Sequence, residues 1–168
     1  MADLITHLCS VLLPASVCPL RWTGPMAIGV VLPDVLGRVP AMMVSSLVPT
    51  PGPALELALL SLDVFHMPAG ILLGAALVGF FTASKDRVPM VVGLALGGML
   101  HLLLDVAQFH HGSGYPLFFP FSLARYEVGM VGSETTVGWS GGLAVLTALA
   151  WWVRWKVRTW IVQRKKDG

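Results

Sequence analysis

The chain has 168 residues, 55% of them hydrophobic and 12% charged, with a formal net charge of +2. Soluble domains carry about 25% charged residues, and the mean hydropathy here is +0.76, so a water-soluble globule is excluded and an integral membrane protein is expected. The length suits one compact unit, and the two cysteines, Cys9 and Cys18, form neither a C-x-x-C pair nor a disulfide framework.

Five apolar segments follow in chain order. The first runs from Leu4 to Leu20 and is interrupted by Pro14 and Pro19. The start of the chain carries Asp3 and His7 and lacks a basic leading region, so it does not read as an ordinary signal peptide. The second runs from Pro25 to Val48 and contains Pro33, Gly37 and Pro40. Proline removes a backbone donor, which neighbouring helices can compensate within a membrane, so a broken helix with its break at Leu32-Pro33-Asp34 is expected. The third has an amphipathic start at Ala54 and an apolar part from His66 to Phe81. The fourth spans Val88 to Ala107, and a Gly/Pro-rich aromatic loop follows it. The fifth spans Val137 to Val153 and leads into a basic tail. A crossing needs about 20 residues, so the first and third segments are marginal. The expected fold is all-α: a polytopic membrane helical bundle of about five spans over residues 1–153, with a tail over 154–168. No repeat, low-complexity tract or second domain is evident.

Loop charges orient the bundle. Arg21, then Lys85 and Arg87, then the tail with Arg154, Lys156, Arg158, Arg164, Lys165 and Lys166 share one side if the chain crosses five times. Asp3, Glu56, Asp63, Glu127 and Glu134 fall on the other, with Arg125 the one basic loop residue there. The positive-inside rule then puts the N-terminus outside and the C-terminus in the cytoplasm. Arg38 fits neither side. A tail that directly follows an apolar span and a tryptophan cluster reads as a membrane anchor, not as a nucleic-acid binder. The absence of Asn and the excess of Arg over Lys hint at a bacterial source and hence the inner membrane.

On this topology the ionisable residues collect in one half of the bilayer. Such groups cost roughly 2.5–3.5 kcal/mol each inside a membrane and are functional by default. His101 and Asp105 are spaced i, i+4 and share a helix face. Asp63 and His66, spaced i, i+3, can converge likewise. His7 and Asp34 add a nitrogen and an oxygen donor from two further spans. Imidazole with carboxylate suits zinc, iron or manganese better than calcium. A catalytic zinc needs three protein ligands and an open position. It lowers the pKa of bound water to about 7, which suits attack on an ester or phosphodiester, and a remaining Asp or His can move the proton. The mouth sequence His110-His111-Gly112-Ser113-Gly114 can bind phosphate or close over a substrate.

Each residue taken alone has a plainer reading. His101 and Asp105 can be an interhelical hydrogen-bonded pair, His7 an interfacial residue, His66 a helix-start residue capped by Asp63, and His110 with His111 a solvated pair. Their joint placement carries the site. Elsewhere, Trp139, Trp151, Trp152, Trp155 and Trp160 read as an interfacial belt. Phe118, Phe119 and Phe121 form an apolar hairpin that can dip toward lipid, although core packing is the plainer reading. Gly93, Gly97 and Gly98 permit close helix contact, and the cysteines read as small packing residues.

His101-Leu-Leu-Leu-Asp105 followed by Gly114-Tyr-Pro-Leu-Phe-Phe-Pro-Phe-Ser122 resembles the signature of the YdjM-like, LexA-regulated membrane-bound metal-dependent hydrolases. Thr6-His7, Gly29-Val-Val-Leu-Pro-Asp34 and Phe65-His66 resemble that family's other blocks in the same order. The likeness covers roughly the first 122 residues. It departs at Val35-Leu36-Gly37-Arg38, where another Asp or His is common, at Phe65-His66-Met67, and at Gln108 with His110 and His111. The resemblance implies a membrane hydrolase with His7, Asp34, His66, His101 and Asp105 as metal ligands. With zinc as the divalent ion, Asp105, His110 and His111 are the candidate catalytic groups. Membrane lipids are the expected surroundings, and a lipid or phosphoester the expected substrate. The alternative is a non-enzymatic metal or proton transporter, or an assembly subunit, built on the same groups.

Overall fold

The computed structural model describes residues 4–18, 21–48, 52–109 and 114–167. Their helices are α1 (Leu4–Val17), α2 (Thr23–Pro33), α3 (Val39–Leu47), α4 (Pro53–Leu62), α5 (Pro68–Phe81), α6 (Ser84–Ala107) and α7 (Ser133–Asp167). A π-turn, Asp34–Arg38, joins α2 to α3, and a 3₁₀ turn, Asp63–His66, precedes α5. The architecture is all-α. Among the described residues, three stretches are long and apolar enough to cross a membrane: Thr23–Val44, Ser84–Ala107 and Thr135–Arg164. At 14 residues each, α1 and α5 are about 21 Å long, shorter than the roughly 30 Å hydrocarbon layer.

The regular α-helix of the second segment is interrupted where expected, at Pro33–Asp34, but the chain stays helical there. The helix runs on through Pro33, because Asp34–Arg38 widens into a π-turn whose signature is the Val39 N–H bonded to the Asp34 carbonyl. Such insertions absorb a missing donor without ending a helix. Just before it, the Asp34 N–H bonds the Val31 carbonyl, one residue later than α-helical pairing requires. The Val30 carbonyl is thereby left to accept from elsewhere.

The body of the fold is the packing of α2 along α6. Small residues permit it. A Cβ at Gly97 would collide with the Met26 carbonyl, one at Gly29 with the Leu94 carbonyl, and one at Gly93 with the Pro25 side chain. On another face of α6, Gly98 lies under Ile71 of α5. Ile71, Leu102, Val106 and Tyr115 then form a small apolar core beside the polar cluster described below.

The first and last helices brace each other. Trp151 Nε1 donates to the Leu12 carbonyl (2.9 Å), and Arg154 Nη1 donates to the Ala15 and Ser16 carbonyls (3.0 and 2.7 Å). A cation at the C-terminal carbonyls of α1 satisfies acceptors that the helix cannot satisfy itself. The basic tail is not separate from the fifth segment, since α7 continues through it to Asp167; no Gly or Pro interrupts residues 143–167. The five belt tryptophans are exposed on α7. Cys9 is buried, as a packing residue would be, whereas Cys18 is exposed at the end of α1.

Beyond α6 the loop turns back on itself. Gln108–Phe109 (β1) pairs in parallel with Val131–Gly132 (β2). The Val128 and Met130 N–H groups donate to the Val106 and Ala107 carbonyls (both 2.8 Å), which ties the loop to the end of α6. Tyr115 and Tyr126 pair through both backbone bonds. The aromatic hairpin does not join the core: Phe121 is 95% exposed and Phe118 rests edge-on against Tyr126.

The glycine contacts give a direct stability prediction. Gly97→Ala sets a methyl against backbone that cannot yield unless α2 and α6 separate, and overpacking of this kind costs about 1–3 kcal/mol. Gly138 has open space around it, so Gly138→Ala should leave stability unchanged or raised. Thermal unfolding in detergent should show a lowered midpoint for the first variant and no loss for the second.

Candidate metal centre

Four separate pieces of chain deliver the polar residues to one place. α1 supplies His7, the π-turn supplies Asp34 and Arg38, the 3₁₀ turn supplies His66, and α6 supplies His101 and Asp105. His7, Asp34, His66, His101 and Asp105 are all buried. Ligand atoms of His7, His101 and Asp105 lie within 4.8 Å of one another, as do those of Asp34, His66 and His101. The two triads share His101.

His101 is the hinge of the arrangement. Its Nδ1 is 2.8 Å from the Val30 carbonyl. A carbonyl can only accept, so Nδ1 carries the proton and Nε2 presents its lone pair. That Nε2 is 3.8 Å from Asp34 Oδ1 and 3.5 Å from Asp105 Oδ2. It is buried and has no hydrogen-bond partner. Three lone-pair atoms thus face one another at short range, an arrangement that a cation would relieve. A backbone carbonyl holding the far nitrogen is also the usual support of a metal-bound histidine. Neighbouring ligand atoms around a tetrahedral zinc with bonds of about 2.1 Å would stand about 3.4 Å apart, close to the separations seen here. The donor set therefore fits a divalent metal ion.

The two triads differ in access. His7, His101 and Asp105 are sealed at 0% exposure, while Asp34 and His66 are each 6% exposed. His66 lines a cavity of about 460 Å³ with Arg38, Asp63, Tyr115 and Arg125. The Asp34–His66–His101 triad is thus the one that adjoins open space, and metal sites that do chemistry keep an open position. His66 Nε2 is 3.4 Å from Asp34 Oδ1. On the sealed side, His7 Nε2 donates to Asp105 Oδ1 (3.2 Å), and its ring stacks on His101 with centroids 4.1 Å apart. His7 Nδ1 has no hydrogen-bond partner, so His7 lacks the outer support that Val30 gives His101.

Sequence reasoning passed over two members of the cluster. Arg38 sits 3.6 Å from Asp34 Oδ1 through Nη1 and 3.6 Å from Asp105 Oδ2 through Nη2. The same Nη2 donates to the Tyr115 hydroxyl (2.6 Å), which donates in turn to Asp105 Oδ2 (2.7 Å). Burial, and then the Asp105 carboxylate, push the Tyr115 hydroxyl above the ordinary tyrosine range, so it stays a donor. The signal for Arg38 was its i, i+4 spacing from Asp34, the same spacing that marked His101 and Asp105. Asp63 behaves otherwise than expected. It does not converge with His66 on the cluster but faces Arg125 at the cavity mouth, 3.7 Å away. His110 and His111 lie outside the described residues. Phe65, although next to His66, lines a different and apolar groove.

No family model, no curated protein and no solved structure matches the chain.

Gly37 connects the two turns. A Cβ there would stand 2.9 Å from the Leu62 carbonyl and 3.0 Å from His66 Nδ1. Gly37→Ala should therefore displace His66 while leaving every candidate ligand residue unmutated, and should weaken binding of a divalent ion such as zinc about 10–100-fold, as loss of a ligand's support does. Competition with a zinc chelator, on purified protein, measures this.

Proposed function

We propose that the chain is a zinc-dependent hydrolase of the YdjM-like kind, acting on an ester or phosphoester of a membrane lipid. The observation that carries the reading is the buried, unpartnered Nε2 of His101, aimed between Asp34 and Asp105. Asp34, His66 and His101 would hold the ion, and a divalent cation bound there acidifies a water molecule and polarises a substrate oxygen. The remaining steps fall to the protein. Asp105 Oδ2, 3.5 Å from His101 Nε2, is placed to accept a proton. His7 and Tyr115 hold the two Asp105 oxygens and so fix its orientation. Arg38 and Arg125 set two guanidiniums on the cavity wall against the one carboxylate of Asp63, donors that suit an anionic group such as a phosphoester. His110 and His111 remain proposed proton carriers on their place in the sequence.

The lipid part of the proposal draws on a second space. An apolar groove of about 290 Å³ runs between α2, α5 and α6, lined by Leu36, Phe65, Ile71, Gly74 and Leu94 among others. The two spaces have no lining residue in common but are lined by chain neighbours at two points: Leu36 and Phe65 line the groove, Gly37 and His66 the cavity. A molecule with a charged head and an apolar tail matches that division. The chain would cross the inner membrane of a bacterium five times, α1 and α5 being its two short crossings. The N-terminus would lie outside and the C-terminus in the cytoplasm.

Elemental analysis of the purified protein tests the ion: zinc is expected in the wild type and absent after His101→Ala with Asp105→Ala. No zinc in either sinks the proposal, and ion uptake into vesicles without hydrolysis would favour transport instead. The groove has its own test. A Cβ at Gly74 meets nothing within 4 Å and Gly74 lines the groove, so Gly74→Trp should place its ring in the groove. Denying a tail two methylenes of burial, at about 0.8 kcal/mol each, should raise KM about tenfold. That rise is expected for a long-chain phosphoester and not for a short soluble one.

A further inference from the structure

Two triads sharing one histidine look like a seat for two ions. Two features of the pocket oppose that. The first is His101 itself. Its Nδ1 is committed to the Val30 carbonyl at 2.8 Å, so Nε2 alone can coordinate, and a second ion would be left with His7 and the carboxylate of Asp105. The second is Arg38, which cannot lose its proton. Its Nη1 and Nη2 stand 3.6 Å from Asp34 Oδ1 and 3.6 Å from Asp105 Oδ2, so a permanent cation spans the two carboxylates that a pair of ions would need. Nη1 is buried without a hydrogen-bond acceptor, which leaves charge attraction to Asp34 as its hold.

Charge arithmetic decides between one ion and two. With the histidines neutral, the two carboxylates and one guanidinium leave a single negative charge. One divalent ion turns this into a single positive charge. A second would raise it to three positives in a pocket whose inner residues are fully buried, where water cannot screen them. We infer that Arg38 is a built-in counter-cation that restricts the centre to one divalent ion, seated on Asp34, His66 and His101. The sealed Asp105–His7 pair then supports that ion and is not a second seat. This inference rests on the metal reading proposed above.

The test is ion stoichiometry. Metal-free protein in detergent is saturated with zinc, freed of weakly held ions by gel filtration, and analysed for zinc per chain. Wild type should hold one ion and Arg38→Lys, which keeps the charge, also one. Arg38→Gln should hold two, a doubling. Two ions in the wild type overturn the inference while leaving the metal reading intact. One ion in a folded Arg38→Gln overturns the role given to Arg38. No ion in the wild type overturns the metal reading and this inference with it. The wild type loaded with manganese decides the matter even if Arg38→Gln does not fold: an isolated-ion paramagnetic spectrum is expected, and a spin-coupled pair overturns it.

Discussion

The hydrogen bond from His101 Nδ1 to the Val30 carbonyl is the interaction on which the centre depends, and it joins two backbones that almost touch. It requires an acceptor not fully used by its own helix. The shifted bond from Asp34 N–H to Val31 provides that acceptor, next to a proline that donates nothing. It also requires α2 and α6 to approach closely, which Gly29, Gly93 and Gly97 permit. Helix irregularity, small residues and ligand orientation are therefore one device. The fixed ring then aims a bare nitrogen at two carboxylates, a donor set that could hold a cation.

Charge within the cluster is balanced in layers. Carboxylates inside an apolar bundle are costly unless paired, and here each has several partners. Asp105 receives His7 on one oxygen and Tyr115 on the other, while Arg38 reaches both Asp105 and Asp34. The outward gradient, from residues with no exposure to a cavity edged by Arg38, Asp63 and Arg125, separates the part that holds its shape from the part that can meet another molecule.

Much of the centre could be read from sequence because its chemistry is expensive in its setting. His7, Asp34, His66, His101 and Asp105 stand out against apolar neighbours, and the i, i+4 spacing of the last pair fixes a shared face. Arg38 was hidden by its sign: a lone arginine in a span was weighed as a topology signal, not as a partner for carboxylates. Tyr115 was hidden by distance, since it reaches Asp105 only after the loop turns back and pairs with Tyr126. Asp63 misled because spacing sets a shared face but not a partner: its 3₁₀ turn aligns i and i+3, yet its carboxylate pairs with Arg125. The second segment read as broken because prolines mark interruptions; whether a helix stops or widens is settled by packing around Gly37. The length of α7 followed from uninterrupted helix-compatible sequence, but a run of basic residues masked it.

The bracing of α1 by Arg154 links the two ends of the chain. α1 precedes α7 in the chain and brings His7 to the cluster, yet the guanidinium that caps it belongs to α7. Until residue 154 has left the ribosome, the final carbonyls of α1 lack that donor. A chain cut short of α7 would carry the histidine without the clasp that steadies its helix.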